Sequence, residues 1–304
     1  MTIKLKAGLD DDDRRIDRIL RKALPDYPLS LIHRLLRQGK VLVNEKKVRA
    51  DSKIQNGDAI EIFSSVNQKS VSVNNKIIPP APLPGILWQG CGIVVFNKPT
   101  GMATHGPGSL ADIVAEHYAG TLPRSLSFKP GPLHRLDKPT SGAIAFSTTL
   151  EGARLFTGLL RQRRLIKTYL AIVEGKITAE DSWEDNLVRD KAGKKTHAAD
   201  GKNARIAITR IKPVSSNGKY SLIEARIVTG RTHQIRAQAA AHGHPLEGDK
   251  KYGSSGSGGF FLHAWKIELD GESGGVPNDF PRLITAPPPE LFQSRINSFF
   301  DKMT

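Results

Sequence analysis

The stretch His134-Arg135-Leu136-Asp137-Lys138-Pro139-Thr140-Ser141-Gly142, running directly into Ala143-Ile144-Ala145-Phe146, decides how the rest of the chain is read. Pro139 and Gly142 punctuate it as a loop, and the apolar run that follows has the length of a buried strand. A loop held at the end of such a strand is a usual place for chemically active groups. It carries one carboxylate, Asp137, among the side chains of His134, Arg135 and Lys138, and such neighbours favour the charged form of an acid. Taken alone, the pattern equally describes a salt-bridged loop aspartate, which is the commoner case.

Working outward, strands and helices mix without a regular βαβ repeat. IVVF at 93–96 reads as a buried strand, Ser109 as the cap of a helix through LADIVAEHY, and Leu155, Phe156, Leu159 and Leu160 as the stripe of another helix. KTYLAIV at 167–173 and residues 221–228 read as strands, and Thr232 opens the helix THQIRAQAAA. This mixture predicts an α+β fold on a mainly antiparallel mixed sheet. Residues 14–63 read as a separate small α+β unit. Ile16, Ile19, Leu20, Ala23 and Leu24 stripe one helix; a second, capped by Ser30 and striped by Leu31, Ile32, Leu35 and Leu36, stops at Gly39. The short strands VLV and AIEIF follow, with turns at Asn44–Glu45 and Asn56-Gly57-Asp58. Residues 64–85, rich in Ser, Asn and Pro, have the composition of a linker. The expected organisation is a module over 1–63, a flexible tether over 64–85 and a larger domain over 86–304.

The 304 residues carry a formal net charge of +15, an excess that favours a polyanionic partner. Over 14–62 twelve Lys/Arg stand against six Asp/Glu. Arg34, Arg37 and Lys40 follow helical spacing in and just after the second helix, so together they can face a nucleic-acid groove. Cys91 is the one cysteine, which excludes an intrachain disulfide and a thiolate metal cluster. With no HExxH-type spacing and no GxxxxGK[ST] loop, neither a metal nor a cofactor is expected. The absence of a leader-like start and of an 18-residue apolar run predicts a cytoplasmic protein without a membrane partner. Nothing in the sequence demands more than a monomer.

Two further clusters carry reactive side chains. Tyr169 shares a strand face with Ala171 and Val173, as a core tyrosine would, and its flat ring could equally stack on a base. In Thr229-Gly230-Arg231-Thr232-His233-Gln234-Ile235-Arg236 a tight turn feeds a helix start, where Arg231, His233 and Arg236 suit a phosphate or a buried carboxylate. A glycosidase would need two cooperating carboxylates, and one such cluster offers only Asp137.

HRLDKPTSG, KTYLAIVEG and TGRTHQIRAQAAAHGHPLEGDKKYG together resemble the three signature blocks of the RluA family of RNA pseudouridine synthases, in the family's order. ILWQGCGIVVFNKPTGMATH and FFLHAWKIEL resemble its opening and closing segments, and 14–63 resembles the small RNA-binding module, named for a ribosomal protein, that often precedes this domain. Three ordered blocks are far more specific than one motif. The resemblance implies that Asp137 is the catalytic aspartate, that Tyr169 stacks on the target uracil and that Arg236 pairs with Asp137. It also implies that Arg135 fills the gap left by a flipped nucleotide. Around them His134, Lys138, Thr140, Arg231, His233 and Gln234 are expected to line the substrate site. The implied activity isomerises uridine in RNA, ribosomal RNA of the large subunit being favoured over transfer RNA. The rival class is an RNA-binding protein with an inert site, which would need none of the trio Asp137, Tyr169 and Arg236.

Overall fold

The computed structural model describes residues 2–64, 82–118, 125–190, 192, 195–201, 203–256, 258–271 and 274–300. Most of the expected linker, 65–81, lies outside them. The first unit runs β1 (Thr2–Lys6), β2 (Arg14–Arg15), α1 (Ile16–Ala23), α2 (Leu29–Arg37), β3 (Val41–Val43), β4 (Lys46–Lys47), β5 (Lys53–Ile54) and β6 (Ala59–Phe63). Strands in the order β1-β6-β3-β4 form an antiparallel sheet, and β2 pairs with β5. The helical stripes close a core over this sheet: Ile16, Ile19 and Leu20 from α1 meet Leu35 and Leu36 from α2 and Ile60 and Ile62 from β6. Helix α2 starts at Leu29 behind Pro28, so Ser30 lies inside the first turn and does not cap it. Proline at that boundary already has a φ suited to helix entry. Gly39 ends the helix at φ +66, a conformation that only glycine adopts freely.

The second unit runs β7 (Ile86–Gly90), β8 (Ile93–Lys98), α3 (Leu110–Tyr118), β9 (Gly131–Pro132), β10 (Ser141–Ser147), α4 (Leu150–Arg161), β11 (Leu165–Glu174), β12 (Asp181–Asp190), β13 (Lys195–Ala198), β14 (Arg205–Ser216), β15 (Tyr220–Ile227), α5 (Gln234–Ala241), β16 (Leu262–Leu269), β17 (Leu283–Thr285) and α6 (Glu290–Phe300). Its sheet has the order β13-β12-β14-β15-β11-β16-β10-β8-β7, with β17 on β16 and β9 on β10. Among the described residues its pairs are antiparallel except β10 with β16. The α+β, mainly antiparallel fold expected from sequence is the one observed. No helix among the described residues is long and apolar enough to cross a membrane.

Period-two alternation sorts the apolar strands between two cores. Val94 and Phe96 of β8 and Ile144 and Phe146 of β10 face α3 and α5. Ile93, Val95, Ala143 and Ala145 face Phe156 and Leu159 of α4. Where β10 meets β16, Gly142 (φ +110) lies so close to Ala264 that a Cβ would fall 2.2 Å from its carbonyl oxygen. Glycine is therefore required where the Asp137 loop becomes a strand. Helix α3 begins after Ser109, but the Ser109 hydroxyl is buried without a hydrogen-bond partner; Asp112 accepts from the Gly108 amide in its stead.

The two units also meet directly. Fully buried Asp11 accepts from the Leu126 and Ser127 amides at 2.8 and 3.0 Å, from both the Ser125 and Ser127 hydroxyls, and from its own Gly8 amide. Arg14 donates to Ser127, Asp10 accepts from the Leu150 amide at the start of α4, and Leu126 packs against the amino-terminal core. The flexible tether expected over 64–85 falls mostly on residues outside the described ones. The acidic run 10–13 supplies a polar dock between the units, which sequence reading missed because a run of aspartates usually marks solvated chain.

Candidate active site

Asp137 sits in the loop leading from β9 into β10, and three groups pin that loop. The Thr140 amide donates to the Asp137 carbonyl, closing a turn. The buried Thr104 hydroxyl donates to the Leu136 carbonyl at 2.8 Å and accepts from the Leu136 amide. Fully buried Lys98, at the end of β8, donates to the carbonyls of Pro99, Met102 and Lys138. Burial pulls the Lys98 ammonium down to about 8, against the opposing pull of the Asp137 charge.

The Asp137 carboxylate is held through one oxygen. Arg236 Nη1 lies 3.3 Å from Oδ2 and His233 Nε2 lies 3.6 Å from the same atom; among the described residues no protein donor engages Oδ1. Arg236 is itself fixed from elsewhere. Its Nε and Nη2 donate to Asp249 at 2.7 and 2.9 Å, a fork-to-fork pair, and its guanidinium lies over the rings of Phe260 and Tyr252, 4.3 and 4.8 Å from their centres. Burial alone would lower the Arg236 pKa, but Asp249 and then Asp137 together carry it above its ordinary value. His233, in the left-handed conformation at φ 54, occupies the position just before α5 without a side-chain bond to the helix. Its Nδ1 lies 2.9 Å from the Tyr252 hydroxyl, which accepts from the Thr196 amide at 3.0 Å. The Tyr252 proton is thus free for Nδ1, which leaves the His233 proton on Nε2, toward Asp137. Burial lowers the His233 pKa despite Asp137, so the neutral ring predominates near neutrality.

These groups open on a cavity of about 220 Å³, lined by Asp137, Tyr169, Lys167, His134 and Arg236 among others. Tyr169 is buried in the same core as Ala171 and Val173, and its ring still lines the cavity, so the core and stacking readings coexist. Burial and then the Asp137 charge push its phenol well above the usual range. His134 Nε2 accepts from the Ala145 amide at 3.1 Å, and burial, helped by Lys167, drives its pKa down to about 3; it is a neutral wall residue.

The structure brings most of the sequence-predicted residues to this cavity, with different standing. Arg135 is exposed at its rim, and buried Thr140 lines it. Arg231 lines it while donating through Nε to the Ile206 carbonyl. Gln234 is buried and spent: its amide bridges Thr229, Arg231, Ile208 and Thr209, so it braces the turn. Lys138 is exposed and off the cavity wall; only its carbonyl serves the site. Arg34, Arg37 and Lys40 lie exposed on the amino-terminal unit. Sequence reasoning passed over Asp249, Tyr252, Lys98 and Lys167. All four stood inside the blocks that carry the resemblance, in GDKKYG, NKPTG and KTYLAIV, where nothing local marks them as buried.

The loop carboxylate Asp137 is thus held by a buried arginine beside an aromatic wall, at one cavity of the mainly antiparallel α+β sheet. A family model described as RNA pseudouridylate synthase matches residues 92–241 and one described as S4 domain matches 14–60. The chain is 32% identical over 290 residues to ribosomal large subunit pseudouridine synthase C of Haemophilus influenzae, covering 86% of this chain and 85% of that protein. Against the protein of the same name from Escherichia coli strain K12 the identity is also 32%, covering 86% of each. Human RNA pseudouridylate synthase domain containing 4 shares the fold at a TM-score of 0.57 and 23% identity, over 70% of this chain and 92% of that one. The chain belongs to the RNA pseudouridylate synthase family and carries an S4 domain. It is an RNA pseudouridine synthase, which sets aside the reading as an inert RNA-binding protein.

Proposed function

We propose that this enzyme converts uridine to pseudouridine in large-subunit ribosomal RNA, with Asp137 acting at the sugar and no cofactor taking part. The observation that carries the reading is the Asp137 carboxylate, held through Oδ2 by Arg236 and open at Oδ1 in a cavity walled by Tyr169. The names of the relatives supply the substrate class. A stacked uridine hides its glycosidic carbon, so it must be extruded, at about a few kcal/mol. Arg135, exposed at the rim, occupies the vacated space. Asp137 then attacks C1′ or takes a proton from the sugar, and the C1′–N1 bond breaks. The uracil turns against Tyr169 and C5 bonds to C1′ as the Asp137–C1′ bond breaks, or as Asp137 returns its proton to the sugar; the C5 proton then leaves and N1 gains one. Atoms balance within the nucleotide, so the chemistry calls for no co-reactant.

The exposed Arg34, Arg37 and Lys40 supply phosphate contacts from the amino-terminal unit, and the enzyme works as a monomer, since every residue given a role here belongs to one chain. The test incubates the purified protein with large-subunit ribosomal RNA and with transfer RNA, followed by chemical mapping of pseudouridine. New sites in the ribosomal RNA, absent with Asp137→Asn, are expected. Modification by the Asn variant, or of transfer RNA alone, overturns the reading.

A further inference from the structure

The cavity holds several cationic or donor side chains, and most are already engaged. Arg236 is taken by Asp249 and Asp137, Arg231 by the Ile206 carbonyl, and His233 by Tyr252. Lys167 differs. It lies in β11 two residues before Tyr169, so both side chains leave the same face of the strand, and both line the cavity. Among the described residues its ammonium has no hydrogen bond or ion pair, and its wall neighbour is the neutral His134. A half-buried cation without an anion is an expense the fold carries for some purpose. Burial indeed pulls this ammonium down to about 8, as an uncompensated charge should behave.

The chemistry of the proposed reaction supplies the missing anion. When the C1′–N1 bond breaks, its electron pair departs with the base, and the detached uracil carries negative charge spread over N1 and the O2 and O4 carbonyls. A ring held on Tyr169 turns an edge toward the side chain two residues away. We propose that Lys167 is a catalytic residue whose ammonium binds a carbonyl oxygen of the uracil and stabilises the anion that forms as the glycosidic bond breaks. The ammonium keeps its proton throughout. The electron pair returns to C1′ through C5 in the new carbon–carbon bond, and the C5 proton leaves afterwards. This inference rests on Asp137 acting at the sugar, and adds the group that receives the charge at the other end of the breaking bond.

The test compares wild type, Lys167→Met, Lys167→Arg and Asp137→Asn in single turnover at saturating enzyme. Two short RNAs are used, identical except that one carries 5-fluorouridine at the target. Fluorine withdraws electrons and stabilises the departing anion without help from the protein. The readout is consumption of the target nucleoside in nuclease digests, with RNA affinity measured in parallel. Lys167→Met is expected to slow the uridine reaction by roughly 10²-fold, the scale for removing one donor from a developing anion, with RNA affinity nearly unchanged. Its deficit should shrink at least several-fold on 5-fluorouridine, and Lys167→Arg should recover most of the rate. An equal deficit on both bases, a wild-type rate for Lys167→Met, or a defect confined to affinity overturns the proposal. Turnover by Asp137→Asn overturns the underlying reading instead, so the two failures are distinguishable.

Discussion

Asp11, closing a short 3-10 turn, and Asp137, in a loop, are both aspartates held by partners distant in sequence, yet their surroundings differ in kind. Every hydrogen-bonding direction of Asp11 is met: Oδ1 accepts from Ser125 and Ser127, Oδ2 from Gly8 and Leu126, and the residue is fully buried. Asp137 has one oxygen held at 3.3 Å, the other free, and a side chain 17% exposed in a cavity wall. A carboxylate saturated by donors is spent on structure, because any new partner must displace an existing one. A carboxylate fixed through one oxygen is oriented without being consumed. The number of directions left open, rather than the charge of the neighbours, separates the dock from the proposed centre of chemistry.

Exchanging the two roles by mutation breaks or sharpens this contrast. The largest effect is expected from Asp137→Asn, which keeps shape and loses the anion: turnover should fall by about 10³–10⁴-fold, with melting temperature and RNA affinity nearly unchanged. Wild-type turnover would erase the distinction. Asp11→Ala should do the reverse. It strands the Leu126, Ser127 and Gly8 amides, each costing about 1–3 kcal/mol if water cannot reach it, so thermal denaturation should shift down markedly or split into two transitions. The single-turnover rate on a short saturating RNA should hold, and a matched loss of rate would mean that the dock feeds the active site.

Asp249→Asn tests an intermediate case. Arg236 would keep its place less firmly, and misplacement on the scale of 1 Å costs about 10²-fold in rate; both turnover and melting temperature should drop, whereas a change in only one would detach Asp249 from that role. The smallest effect concerns Lys98. Its folded pKa of about 8 lies below the unfolded value of about 10.4, so between these values the unfolded chain binds more protons and stability rises with pH. Below about 8 the penalty of the buried charge is fully present. Relative to Lys98→Met, wild type should therefore gain stability, on the order of 1–3 kcal/mol, as pH is raised from 8 to 10.5 in denaturant titrations. Parallel pH dependences would exclude a perturbed Lys98.

Much of this is legible in the sequence, for a physical reason. Alternation in IVVF and AIAF, the stripe of α4 and the stop at Gly39 are local consequences of side-chain direction and backbone sterics, and each appears where the residues put it. The ordered blocks marked Asp137, Tyr169 and Arg236, which the fold gathers at one cavity. Long-range competition was not legible. Arg236 was expected to belong to Asp137, but its tighter partner is Asp249, chosen by the chain reversal after α5 that brings the two together. Ser30 and Ser109 have the chemistry of caps, and neither caps, because Pro28 sets one helix start and burial removes the other hydroxyl from its amides. Gln234 looked like a substrate contact and is consumed by its own turn. The acidic run at 10–13 carried no sign of its distant acceptor role, since the donors at 125–127 lie more than a hundred residues away.

The strand order has a consequence in time. β10 lies between β8 and β16, and β11 lies between β15 and β16, so the middle of the sheet waits on β15 and β16, which are made much later. The register joins Ser141 to His263 and Leu170 to His263 as well, so one late strand seals both central edges. During synthesis on the ribosome, SGAIAFS and LIKTYLAIVE leave with open edges and nearly continuous apolar faces, the kind of surface that seeks other chains. Contacts of such sequence separation make folding slow compared with local assembly. The amino-terminal unit, whose strands and helices all lie within the first 63 residues, can condense first. Nascent chains interrupted between Glu174 and Leu269 are the ones most in need of a chaperone.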